Sequence, residues 1–126
     1  MWKTLLAVAL GGACGSVARW AITRGLLQLW GPAFPWGTWA VNVMGGVLIG
    51  GLSIHLTQGR LSPTAQALLM TGFLGGLTTF SSFSLETIAL IQQQRLPIAL
   101  LNVVLNLAGA FMGVGLGQMF TQRLYS

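Results

Sequence analysis

The chain has 126 residues, of which 54% are hydrophobic and only 6% charged. A soluble domain carries about 25% charge, so an ordinary water-soluble fold is excluded and lipid is the natural solvent. The formal net charge of +5 comes from Lys3, Arg19, Arg24, Arg60, Arg95 and Arg123 against Glu86 alone. These cations stand singly, mostly near the ends of apolar runs. That pattern suits headgroup anchoring and attraction of anions, not a nucleic-acid footprint.

Four apolar runs, each near the ~20 residues that span a bilayer, predict an all-α integral membrane protein with a single transmembrane domain, 1–126. The first run covers residues 2–23. Met1-Trp2-Lys3 and the apolar run after it have the outline of a secretory signal. Cleavage there would discard one of four spans, so the run is read as a retained helix. It contains the small-residue pair Gly11 and Gly15, the lone Cys14 and, deep in the run, Arg19. Cys14 alone permits no internal disulfide and no multi-cysteine metal site. Arg19 is set to act at a mouth, where a long cationic side chain reaches the interface. The loop that follows is rich in turn formers, and Trp20, Trp30, Trp36 and Trp39 surround it as an interfacial belt would.

The second run covers residues 36–56 and holds Asn42 among apolar neighbours, with Gly46 and Gly50 four apart. His55 ends it at the interface. Ser62-Pro63 then supplies an N-cap and a first-turn proline for a third run, 63–92. Midway, its pattern changes to Gly75-Gly76-Leu77-Thr78-Thr79-Phe80-Ser81-Ser82-Phe83-Ser84. Gly75-Gly76 is where a break is expected, although an unbroken helix packed through its glycines fits the composition equally well. A break frees carbonyls that need a partner in lipid, either a neighbouring helix or a bound cation.

Beyond that point, at 100° per residue, Phe80, Phe83, Ser84 and Thr87 share one face, with Ser81 at its edge. Lipid would select leucine and valine there. Phenyl edges carry partial positive charge and hydroxyls donate hydrogen bonds, so this face can line a passage for an anion. Aromatic packing with hydroxyls bonded back to their own helix is the alternative. Glu86, the only acid, is set within the same run as a candidate for a wet vestibule. The fourth run, 96–120, places Asn102, Asn106, Gly109, Gly113 and Gly117 on one stripe that faces protein or water.

The side holding both termini carries Lys3, Arg60 and Arg123, and the other side carries Arg19, Arg24 and Arg95. This balance removes the charge imbalance that orients membrane proteins. It predicts dual topology and an antiparallel homodimer, with a site near the midplane as in an inverted repeat. Glycines spaced by four in every span allow close helix packing. A chain this small is expected to oligomerise to enclose a pore.

The third-run motif resembles the pore signature of the Fluc (CrcB-like) fluoride channels. Gly11-Gly12-Ala13-Cys14-Gly15-Ser16-Val17-Ala18-Arg19 resembles their first-helix motif, and Asn42-Val43-Met44-Gly45 their second-helix motif. Departures are Ser16 for a common alanine, Ser82 for a common threonine, and Asn102, Asn106 and Ala110 where some relatives have tyrosine, serine and serine. The last three touch the fourth-helix lining and not the family.

The resemblance implies an antiparallel homodimer with two pores that passes fluoride passively out of a microbial cell, across its plasma membrane (the inner membrane in a Gram-negative cell). It implies a structural sodium ion at the dimer centre, held by carbonyls of Gly75 and Thr78, and a pore using Asn42, Phe80 and Phe83. Ser81, Ser84, Thr87, Glu86 and Arg19 complete the candidate pore set. No constellation of nucleophile and base suggests an enzyme. Two rivals remain at this stage. A small multidrug exporter would need an acid on the first helix, which has none. A structural subunit would leave the Thr-Thr-Phe-Ser-Ser-Phe run without a purpose.

Overall fold

Each apolar run becomes a helix, because in lipid a backbone must satisfy its own polar groups. The computed structural model describes Met1–Ser126 as α1 (Trp2–Trp30), α2 (Trp36–Thr57), a composite third span, and α6 (Leu96–Leu124). The third span comprises α3 (Pro63–Gln66), a π-helical segment (Ala67–Leu74), α4 (Gly75–Leu77) and α5 (Phe80–Gln92). The first, second and fourth helices outrun their expected ends at residues 23, 56 and 120. Polar residues such as Thr23, Arg24, Gln122 and Arg123 do not stop a helix at a membrane surface, where water and headgroups accommodate them.

Ser62 caps the third span as its sequence predicts, accepting a 3.1 Å hydrogen bond from the Ala65 amide. The break, however, is not at Gly75-Gly76. Those glycines remain helical, and the chain turns extended at Thr78 and Thr79 (φ −84°, ψ 156° and φ −151°, ψ 119°). Tertiary packing decides the difference. Gly76 lies against α1, where an added Cβ would come within 2.6 Å of the Gly12 carbonyl oxygen and 3.0 Å of the Ser16 amide. Its smallness serves close approach and not a hinge. Thr79 suits the break instead. β-Branched residues accept extended backbone, and its hydroxyl caps α5 by accepting a 3.0 Å bond from the Ser82 amide.

Two glycine seams hold the bundle. On α1, a Cβ on Gly11 or Gly15 would overlap the carbonyl oxygens of Leu68 or Phe73 on the π-helical segment. Between α2 and α6, Gly46 and Gly50 face the carbonyls of Ala110 and Val114, while Gly117 faces that of Val47. The small-residue strips therefore bring helices of one chain into backbone contact. A small core of Val41, Leu74 and Leu77 sits between them. Most large apolar side chains, including Leu10, Val17, Leu100 and Val104, point outward, as a lipid-facing surface requires.

Each end of the bundle is tied. At the loop end opposite the termini, the Arg95 Nη2 donates to the Ala33 carbonyl at 2.6 Å. There Trp30, Phe34, Trp36 and Trp39 pack ring against ring. At the other end the Tyr125 hydroxyl pairs with the His55 Nδ1, and the Arg60 guanidinium stacks 4.7 Å over the Tyr125 ring.

Candidate functional site

The extended pair Thr78–Thr79 exposes backbone groups in the middle of the third span, and other helices supply their partners. Asn42 of α2 acts as a surrogate peptide. Its Oδ1 accepts from the Thr79 amide at 2.8 Å, and its Nδ2 donates to the Thr79 carbonyl at 3.1 Å. The same Nδ2 donates to the Asn106 Oδ1 at 2.9 Å. The Asn106 Nδ2 in turn donates to both the carbonyl and the Oδ1 of Asn102. The Asn102 Nδ2 donates to the Thr87 hydroxyl at 2.9 Å. Asn102 and Asn106 are 0% and 3% exposed, so this chain of amides is a buried polar rod joining α2, α5 and α6.

α5 presents two chemically different faces. The first carries Phe80 and Phe83, whose rings meet edge to face with centroids 5.5 Å apart. Phe80 is 73% exposed and Phe83 only 7%. Both line an open cavity of about 520 Å³ together with Asn42, Gly75, Thr78, Thr79 and Asn106. The hydroxyls of this half of the helix are engaged locally. Ser84 donates to the Phe80 carbonyl at 2.9 Å and Thr87 to the Phe83 carbonyl at 2.7 Å. Ser81 shares one hydrogen with Thr79 across 3.3 Å, leaving the other hydroxyl hydrogen of that pair uncommitted.

The second face carries Ser82 and Glu86, one helical turn apart. They line a cavity of about 390 Å³ whose lining residues are mostly polar, with Ser16, Arg19, Thr23, Thr38 and Thr79 beside the apolar Trp20 and Leu85. Arg19 does not sit only at a mouth. Its Nε donates to the Gly76 carbonyl at 3.0 Å, midway along the third span. That carbonyl belongs to the C-terminal end of a helical limb, where the helix dipole favours a cation. Glu86 accepts a 2.5 Å bond from the Thr38 hydroxyl. It also lines a further cavity of about 280 Å³, which opens toward the 31–35 loop and Arg95.

The family model described as CrcB-like protein, Camphor Resistance (CrcB), matches residues 6–118. The chain belongs to this family. A protein of Serratia proteamaculans (strain 568) named fluoride-specific ion channel FluC is 50% identical over 111 residues, covering 87% of each chain. Proteins of the same name from Shewanella sp. (strain ANA-3) and Shewanella baltica (strain OS185) are each 46% identical over 116 residues, covering 92% of this chain and 94% of theirs.

Every candidate residue lies within the matched CrcB-like segment. The structure brings Asn42, Phe80, Phe83, Gly75 and Thr78 to one cavity, and Arg19 and Glu86 to another. Ser84 and Thr87 are bonded to their own helix and line neither of these cavities, and Ser81 stands at the helix start beside Thr79. The carbonyls of Gly76 and Thr79 are taken by Arg19 and Asn42, whereas no side chain bonds those of Gly75 or Thr78. The sequence reading passed over Thr38, Ser82 and the pairing of Asn42 with Thr79. The spacing of Ser82 to Glu86, and of Ser16 to Arg19, was the available signal for the polar cavity, since each pair lies on one helical face.

Proposed function

We propose that this chain forms a passive, fluoride-selective channel that lowers cytoplasmic fluoride in a microbial plasma membrane, the inner one where two membranes exist. It is not an enzyme, as its membership in a family of ion channels implies. It works as an antiparallel, dual-topology homodimer with two pores. The observation that carries the reading is the pair Phe80–Phe83 on a wall with no formal charge, beside a cavity that holds Arg19. The relatives named as fluoride-specific channels support the choice of ion.

Fluoride holds its water tightly, so a pore must replace that hydration with donors. Arg19 concentrates anions in the polar cavity. The hydroxyls of Ser84 and Thr87 turn to the ion from the Phe80 and Phe83 carbonyls, and that of Ser81 from the Thr79 hydroxyl, each giving up a bond worth about 0.5–1.5 kcal/mol net. Asn42 does the same with one amide hydrogen. The phenyl edges add a weak positive field. On the aromatic wall these hydroxyl, amide and phenyl groups carry no formal charge, so past Arg19 the ion is also readily released, as conduction demands. Chloride, larger and less basic, gains less from the same close donors. Glu86 borders the route and marks where the anion passes from the polar cavity toward the loop end.

The donor set near the break fits a weakly held monovalent cation. Gly75 is exposed and Thr78 partly so. Both line the open cavity, neither carbonyl is taken by a side chain, and no cluster of acidic, histidine or cysteine side chains is present. Two chains together would offer four neutral carbonyls to a structural sodium ion, whose charge would hold the opposed carbonyl dipoles together.

The deciding experiment is efflux from liposomes loaded with potassium fluoride or potassium chloride and reconstituted with purified protein. Fluoride should leave rapidly and chloride at the rate of protein-free vesicles. Equal passage of both ions would overturn the assignment.

A further inference from the structure

The polar cavity around Arg19 does not end at Glu86. Thr23 and Glu86 line both it and the cavity of about 280 Å³ that opens at the loop end. The two cavities therefore abut across one carboxylate. An anion approaching from the loops meets that carboxyl group before it meets Arg19, and the group offers it no positive charge. The outer cavity contains one cation, Arg95.

Arg95 is held in place but not neutralised. Its Nη2 donates to the Ala33 carbonyl at 2.6 Å, which fixes the guanidinium between the two loops of this end. That bond uses one of the five N–H donors of the group, and no other side-chain hydrogen bond engages the rest. Arg24, at the same end of the bundle, is placed differently. It stacks 5.5 Å over the Trp20 ring and lines neither cavity.

We infer that Arg95 is an outer capture residue, a fixed cation at the loop-end mouth that raises the local concentration of anions entering toward Arg19. The inference rests on the fluoride-channel reading. A unit charge within about 10 Å of an entering ion changes its local concentration about twofold in water, and more beside low-dielectric walls. This effect belongs to entry and not to passage. It is greatest where salt is low, since the Debye length is about 30 Å at 0.01 M and about 8 Å at 0.15 M.

The test is fluoride efflux from liposomes at several internal fluoride concentrations, at about 0.01 M and about 0.15 M ionic strength. Arg95→Gln should lower efflux about two- to fivefold at low fluoride and low ionic strength. The deficit should shrink at the higher ionic strength and vanish at saturating fluoride. Arg95→Lys, which keeps the charge, should retain most of the flux. Arg24→Gln, which removes an equal charge at the same end, should show no comparable deficit. A loss in Arg95→Gln that is the same at every salt and fluoride concentration, and is shared by Arg95→Lys, would make the residue a loop tie only and overturn the inference. So would an unchanged flux at low ionic strength, or an equal deficit in Arg24→Gln. If the unmodified protein conducts while these variants fail to separate, the capture role alone is refuted. If it passes no fluoride, the channel reading falls first.

Discussion

Phe80 offers the sharpest separation of mechanism from stability. It is 73% exposed, whereas its partner Phe83 is 7% exposed. Replacing Phe80 by isoleucine removes one edge-to-face contact, worth about 0.5–1.5 kcal/mol, and little buried area from the single chain. Replacing Phe83 removes the same contact and also leaves a packing defect, so about 1–3 kcal/mol of destabilisation is expected. The effect on flux should be larger and similar for both. The ring quadrupole that draws a cation to a desolvated aromatic face by about 2 kcal/mol acts with the opposite sign at the ring edge. An anion that loses an interaction of that size at its barrier moves about 30-fold more slowly. The assay is fluoride efflux from liposomes containing the purified protein, paired with thermal unfolding in detergent. Phe120→Ile, an exposed ring on α6 away from the cavity, serves as control. Phe80→Ile should lose flux about 30-fold with a near-native unfolding midpoint. Wild-type rates in both phenylalanine variants would refute the aromatic-edge mechanism. Loss confined to Phe83→Ile, in step with its unfolding, would reduce the pair to packing.

Gly15→Ala should destabilise the chain by about 1–3 kcal/mol, because the new methyl meets the Phe73 carbonyl and comes within 2.9 Å of the Leu77 amide. Gly25→Ala, which meets nothing within 4 Å, should be neutral or better in the same unfolding assay, and equal midpoints would refute the seam. Asn42→Asp should abolish most fluoride efflux and cost about 1–3 kcal/mol, since a carboxylate cannot donate to the Thr79 carbonyl or to Asn106 and places negative charge in the anion's path. A variant conducting at wild-type rate would remove Asn42 from the pore. Exchanging sodium for N-methylglucamine should weaken the dimer or its flux, and a well-ordered structure in high sodium with no ion near Gly75 and Thr78 would count against the cation site. Two or three lysines added to one loop should bias insertion and lower activity, with recovery on co-expression of an oppositely biased copy. A C-terminal reporter found on one side of the membrane only would exclude the inverted dimer.

Four apolar runs in a chain with 6% charge were enough to predict four spanning helices, because a continuous apolar run of about 20 residues satisfies its backbone in lipid as a helix. The motif Gly75 to Ser84 was enough to name the family, and the shared face of Phe80 and Phe83 followed from helical spacing alone. The ends of the helices were not legible, since polarity marks the membrane surface and not the point where hydrogen bonding stops. The break was legible in kind but not in place. Gly75-Gly76 and Thr78-Thr79 both suit an interruption locally. What selected Thr79 was the arrival of Asn42 to bond its amide and carbonyl, and of α1 against Gly76. Likewise Arg19 reads in one dimension as a cation deep in an apolar run that reaches out to a mouth, and only the close packing of α1 on the third span carries its guanidinium to the Gly76 carbonyl. Local preference decides which residues can leave a helix. Partners from distant helices decide which of them do, because a freed peptide group in lipid persists only where something bonds it.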